Sequence, residues 1–256
     1  MRYYKGYIAL SDASDVPVLL HIRDARAIYF EQLRELISLD AAGIAVGSLH
    51  WRVARIEKAG LIQRFSNQRH LGRPVFGITQ AGLAFLESRG HSLLSLSSRS
   101  AQILRAIQVP HELELVNIRL ALMKGGVLRS WKTDLEIASR NLVLEGLATK
   151  DFDAIAEIDV DGTPRCCAIE YERSPKSASR YRAIREVLDR DETVDAVLYL
   201  TANYDLLYLL AVEMRCTRKR IGIALSASFR QSLLETRTLT NTPDSEVVLL
   251  RDLIGI

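Results

Sequence analysis

A chain of 256 residues can form one large domain or two ordinary ones. Hydrophobic residues make up 48% and charged residues 25%, which excludes a disordered or fibrous class and fits a chain with a real core. The net charge of +3 is too small to argue nucleic acid from the whole chain, so that argument rests on where the charges lie.

The first part reads as helices with one hairpin. Asp15 is placed to cap a helix through VPVLLHIRDA, with Pro17 in its first turn. A second helix, YFEQLRELIS, carries Leu33, Leu36 and Ile37 on one face. Ala41-Ala42-Gly43 is a turn, and Ser48 caps a third helix, LHWRVARIEKAG. There Leu49, Val53 and Ile56 face inward, His50, Trp51, Arg52 and Arg55 face elsewhere, and Gly60 is the stop. Leu61–Phe65 and Val75–Ile78 alternate as two strands around a tip at 66–73, and Thr79 caps a fourth helix, QAGLAFLESRG. The serine-rich stretch 90–100 reads as a linker, dividing residues 1–95 from 105–256.

The second part changes character. HELELVNIRLALMKGG (111–126) is a helix ended by two glycines. Residues 152–160 and 165–172 form a hairpin about Asp161-Gly162-Thr163-Pro164. A helix capped by Ser174, with Pro175 at its first position, and a buried strand, VDAVLYLTA, follow. The end of the chain resolves only into a helix around 226–237 and an extended segment near 246–250. The expected fold class is α/β (α+β): an N-terminal winged helix-turn-helix and a C-terminal mixed α/β domain.

A major groove admits one helix, whose outward side chains must reach phosphates and base edges. The third helix supplies His50, Arg52 and Arg55, with Ser48 at its N-terminus, where backbone N–H groups can also meet a phosphate. The hairpin adds Arg64, Asn67, Gln68, Arg69, His70 and Arg73. Between Ser48 and Arg73 the only acid is Glu57, so the basic charge is concentrated here. Trp51 has two readings, packing in a core or interface and contact with a base. The run RIEKAGLIQR…GRPVFGITQAGLAFL resembles the winged helices of bacterial regulators over roughly residues 20–90.

The second constellation is acidic. Asp151 and Asp153 open one strand, Glu170 and Glu172 share a face of the next, and Glu112 and Glu114 lie on the preceding helix. Helix, hairpin with Asp then Glu-x-(Glu/Lys), and helix is the order of the PD-(D/E)XK nuclease fold, and the C-terminal domain resembles that core. The resemblance implies Mg²⁺ held by Asp153 and Glu170. The chain departs from the pattern, because Phe152-Asp153 replaces Pro-Asp and Glu170-Tyr171-Glu172 lacks the lysine. Lys176 is the candidate to replace it and Glu172 an assisting carboxylate. Alternatively, these acids pair structurally with Arg173, Lys176, Arg180, Arg182 and Arg185.

Over most of residues 25–200 the chain resembles the replication-relaxation family of bacterial mobile elements and plasmids. His111, Asn117, Trp131, Asp153 and AIEYERSPKSASRY (168–181) carry that resemblance. It implies a role in replication or gene control. The expected function is therefore a sequence-specific double-stranded DNA-binding regulator, a homodimer, without a cofactor. A Mg²⁺-dependent endonuclease and a scaffold for a replication or mobilisation partner are the alternatives.

Other chemistries have little support. The five histidines, His21, His50, His70, His91 and His111, are scattered, and neither a G-x-S-x-G elbow nor a phosphate-binding glycine loop occurs. Cys166, Cys167 and Cys216 lack zinc spacing and read as small apolar residues of a reducing compartment. MRYYKGYIAL is no signal peptide, and LLYLLAV (206–212) falls far short of the ~20 residues of a membrane span, so a cytoplasmic chain without a membrane partner is expected.

Overall fold

The computed structural model describes residues 10–40, 46–65, 73–96, 108–143, 150–215 and 217–255. The chain is mixed α/β and divides into two compact units, Met1–Val116 and Asn117–Ile256. The division falls inside a helix, Val109–Lys124. Part of the expected linker, 97–107, lies outside the described residues, as do the turn at 41–43 and Cys216. No described helix is long and apolar enough to cross a membrane.

In the first unit, α1 (Val16–Ala25) buries Val18, Leu19 and Ile22 completely. Asp15 precedes it but makes no capping bond. Its carboxylate accepts the Ser11 N–H at 2.7 Å and pairs with Arg55 instead. A two-residue strand, β1 (Ile28–Tyr29), leads into α2 (Phe30–Leu39). Gln32 accepts the Tyr29 N–H at 3.0 Å and donates to the Leu113 carbonyl at 2.9 Å, tying α2 to the start of α5 (Val109–Lys124). A 3-10 turn, Val46–Ser48, opens α3 (Leu49–Lys58), which buries Leu49, Val53 and Ile56 as its spacing requires. Gly60 follows at φ +73°, a conformation that costs glycine little. β2 (Ile62–Phe65) and β3 (Val75–Ile78) pair antiparallel, with β1 on the far side of β3. The third strand was invisible in sequence because two residues carry no alternation.

Thr79 caps α4 (Gln80–Glu87), its hydroxyl accepting the Gly82 N–H at 3.1 Å. A Cβ on Gly82 would lie 2.1 Å from the Leu61 carbonyl oxygen and 2.8 Å from Ile78 Cγ1. Gly82→Ala must therefore push α4 off the sheet. It is expected to cost about 1–3 kcal/mol in denaturant unfolding, and an unchanged midpoint would refute this contact.

In the second unit α5 ends at Gly125-Gly126, with Gly126 at φ +68°. β4 (Leu128–Thr133) and α6 (Asp134–Val143) precede the hairpin β5 (Ala154–Val160) and β6 (Thr163–Glu172). The hairpin turns on Asp161 and Gly162, at φ +52° and +85°, as a two-residue loop demands. α7 (Ala178–Leu188) is capped by Ser177, whose hydroxyl accepts the Arg180 N–H at 3.3 Å. The expected cap, Ser174 with Pro175 at the first position, is not used, and the helix starts three residues later. β7 (Ala196–Thr201), α8 (Tyr204–Glu213), β8 (Ile221–Leu225), α9 (Ser226–Ser232), β9 (Arg237–Thr240), β10 (Val247–Leu249) and α10 (Leu250–Gly255) complete the unit.

Its sheet has the order β10-β9-β8-β7-β6-β5-β4. β6, β7 and β8 run parallel and the outer pairs antiparallel, so α7 and α8 are the crossovers that parallel pairing needs. Every residue of β7 is buried, as in a strand covered on both faces. On one face Ala168, Val197, Tyr199 and Ile223 pack with Ile137, Tyr181, Leu188, Leu207 and Leu210 from α6, α7 and α8. Leu253 of α10 lies against the other face at Gly222, where a Cβ would come 2.4 Å from Leu253 Cδ2. Cys167 belongs to this interior, and burial pushes its thiol up to about 12.

Candidate functional site

Two groups of side chains carry the chemistry anticipated from sequence, one in each unit. In the first unit α3 turns its buried seam away from solvent and exposes His50, Trp51, Ala54 and Lys58. Trp51 is 81% exposed, so it is not part of this unit's core. The His50 ring stacks on Phe30 with centroids 4.0 Å apart.

The two α3 arginines are engaged rather than splayed outward. Arg55 donates to both carboxylate oxygens of Asp15, at 2.5 and 2.6 Å. Arg52 donates to the Ser48 hydroxyl at 2.9 Å and lies 3.5 Å from Asp15. Asp15 is wholly buried, and a buried carboxylate needs such partners. Arg52 and Arg55, expected to contact DNA, both serve an anion within the fold. Ser48, expected to meet a phosphate, receives Arg52.

On the hairpin, Arg64 pairs with Glu57 at 2.9 Å, is 46% exposed, and lies 5.3 Å from the Phe76 ring centroid. Arg73 is exposed and lies 5.5 Å from the Tyr29 ring centroid. Asn67, Arg69 and His70 lie outside the described residues.

In the second unit the acidic hairpin meets two lysines. Residues 168, 170 and 172 share a face of β6, and Ala168 packs into the α7/α8 side, so Glu170 and Glu172 point there. Both glutamates are 6% exposed. Lys150 pairs with Glu170, and Lys176 pairs with Glu172. The Asp153 carboxylate accepts the Tyr171 N–H at 2.8 Å, which anchors the start of β5 to β6. Tyr181 accepts the Lys176 backbone N–H at 3.1 Å. The group lies towards the carboxyl ends of the parallel strands β6 and β7, where open α/β sheets form clefts.

Burial dominates the electrostatics. It holds the Glu170 carboxyl above its usual range, against the lowering pull of Lys150 and with Asp153 adding to the rise. It also lowers the Lys176 ammonium, against the pull of Glu170 and Asp153. Tyr199, opposite Glu170 in the β6–β7 register, is raised by burial and then by Glu170 and Asp153. Its hydroxyl has no hydrogen-bond partner among the described residues.

The carboxylates that a cation would use are engaged by lysines. Each glutamate is already neutralised by an ammonium, and among the described residues no three His, Cys, Asp or Glu side chains gather to hold a metal. Glu112 takes no part in the hairpin group, for it lies 3.9 Å from Arg26 in the first unit. Of the basic residues proposed to neutralise the acids, Lys176 does so, while Arg185 pairs with Glu213 at 3.3 Å. Sequence reasoning missed Lys150. It lies outside any regular element, three residues before Asp153, and no periodicity marks it.

No protein-family model, curated protein or solved structure matches this chain.

Proposed function

We propose that this protein is a double-stranded DNA-binding regulator whose first unit works as a winged helix-turn-helix. One observation carries the reading. α3, its outward face exposed, is followed directly by an antiparallel hairpin bearing the exposed Arg64 and Arg73. A helix for the groove and a basic hairpin for the adjacent backbone are the parts such binding requires. A single helix of this kind reads only a few base pairs, so a homodimer on a two-fold site completes the proposal. The resemblance to replication-relaxation proteins adds the context of a mobile element or plasmid.

Gel retardation on a pool of random duplexes, across a salt series, tests this directly. Wild type is expected to retain DNA at low salt and to lose it steeply as salt rises. Arg64→Ala with Arg73→Ala is expected to weaken binding on all sequences and to flatten the log–log salt slope by roughly 1 per phosphate contact removed. A wild-type protein that retains no duplex at low salt refutes the function, and an unchanged slope in the double variant refutes the role of the hairpin.

The second unit supports binding or control more than cutting. Its helix–hairpin–helix order and its Asp153 and Glu170 favour a nuclease-like core, while Lys150 and Lys176 occupy the carboxylates a cation would need. Plasmid DNA incubated with the protein and Mn²⁺ is expected to stay supercoiled. Nicking that is lost in Asp153→Ala would restore the endonuclease reading.

A further inference from the structure

We infer that Trp51 and Ala54 read thymine methyl groups in the major groove, an inference that rests on the DNA-binding reading above. The argument is one of elimination on the surface of α3. Helical geometry sets the residues opposite the buried Leu49, Val53 and Ile56 towards whatever α3 docks on. Trp51 and Lys58 stand nearest that direction, with Ala54 beside them.

The two arginines of α3 are committed elsewhere, and Lys58 lies in its last turn, away from the end of a recognition helix that meets base edges. Arg55 donates from one nitrogen to both oxygens of the buried Asp15, and Arg52 is held by Ser48 and Asp15, while the His50 ring is fixed in orientation by stacking on Phe30. What remains at the centre of the face is an indole, 81% exposed, in the first turn of the helix, with the methyl of Ala54 three residues on. The first turn is where a recognition helix meets base edges. The thymine C5-methyl is the apolar feature that base edges offer in the major groove, and apolar side chains, aromatic ones included, contact it. Lys58 on the same face and the exposed Arg64 and Arg73 on the hairpin that follows supply positive charge suited to phosphates, which favours a duplex over an apolar protein partner.

The test changes the DNA before it changes the protein. The full chain selects duplexes from a random pool, and the most enriched duplex is remade with deoxyuridine in place of each thymine in turn, removing one methyl at a time. At one or two positions wild type is expected to bind the uracil form about four-fold more weakly per methyl. Trp51→Ala is expected to bind more weakly overall and to treat the two forms alike. With its side chain so exposed, that variant keeps the fold, which far-UV circular dichroism checks. Equal wild-type affinity for the thymine and uracil forms at every position overturns the inference while leaving the DNA-binding function intact. Failure to enrich any duplex overturns the function itself. Should Trp51→Ala leave DNA binding unchanged but lower the sedimentation mass, the indole covers a second copy of this chain, and the inference is overturned.

Discussion

Lys150→Met is expected to cost about 3–5 kcal/mol at neutral pH, the usual penalty for removing one partner of a buried ion pair. Wherever Glu170 is ionised, its charge would then lie in an interior that has lost the ammonium which most lowers its carboxyl. The cost is also expected to depend on pH in a definite direction. Burial raises the folded-state pKa of Glu170 above its ordinary value of 4.5. A carboxyl raised in this way contributes stability that is fully present below the unfolded value and is lost as pH rises through the folded one. Removing Lys150 raises the carboxyl further and deepens that loss. The difference between variant and wild type should therefore be small near about pH 4, where Glu170 is protonated, and grow towards about pH 7. Urea unfolding at several pH values measures it. A difference constant with pH would mean that the methionine acts through packing against Phe152, whose ring centroid lies 4.8 Å from the Lys150 ammonium, and not through charge.

The second large effect is expected at Arg55. Among the described residues, Arg55→Met leaves Asp15, with no exposed surface, facing Arg52 at 3.5 Å and the Ser11 N–H. An orphaned buried carboxylate costs several kcal/mol. Arg55 is 36% exposed, so part of the pair's energy is already screened by water, and about 2–3 kcal/mol is the expected loss. Asp15→Asn in the Arg55→Met background is expected to recover part of the loss, and the double-mutant cycle isolates the pair. Strict additivity in that cycle would refute the assignment. The DNA-binding phenotype of Arg55 variants is consequently entangled with folding, whereas Arg64 and Arg73 on the hairpin give a cleaner reading.

Local pattern made a good part of the fold legible. Leu49, Val53 and Ile56 announce α3 because a helix brings i, i+4 and i+7 to one side, and Asp161-Gly162 announces the hairpin because few residues tolerate two consecutive positive φ angles. Thr79 and Gly126 mark ends for the same local reasons. Elements without such signatures escaped. β1 has two residues, β4 shows little burial alternation at the sheet edge, and the α8–β8 crossover reads as undifferentiated apolar sequence.

By itself the sequence determined which side chains could do chemistry, namely a basic stretch with a single acid and a hairpin with paired carboxylates, because residue type and period are local properties. Only the tertiary structure decided which of those groups are already taken. Asp15 lies forty residues before Arg55 and Lys150 twenty before Glu170, and nothing local couples them. A buried charge must find a counter-charge wherever the fold supplies one, so partnership follows the three-dimensional path of the chain. The same reason decided between the two readings of Trp51 within its unit, since burial depends on how the helices pack and the indole is left 81% exposed.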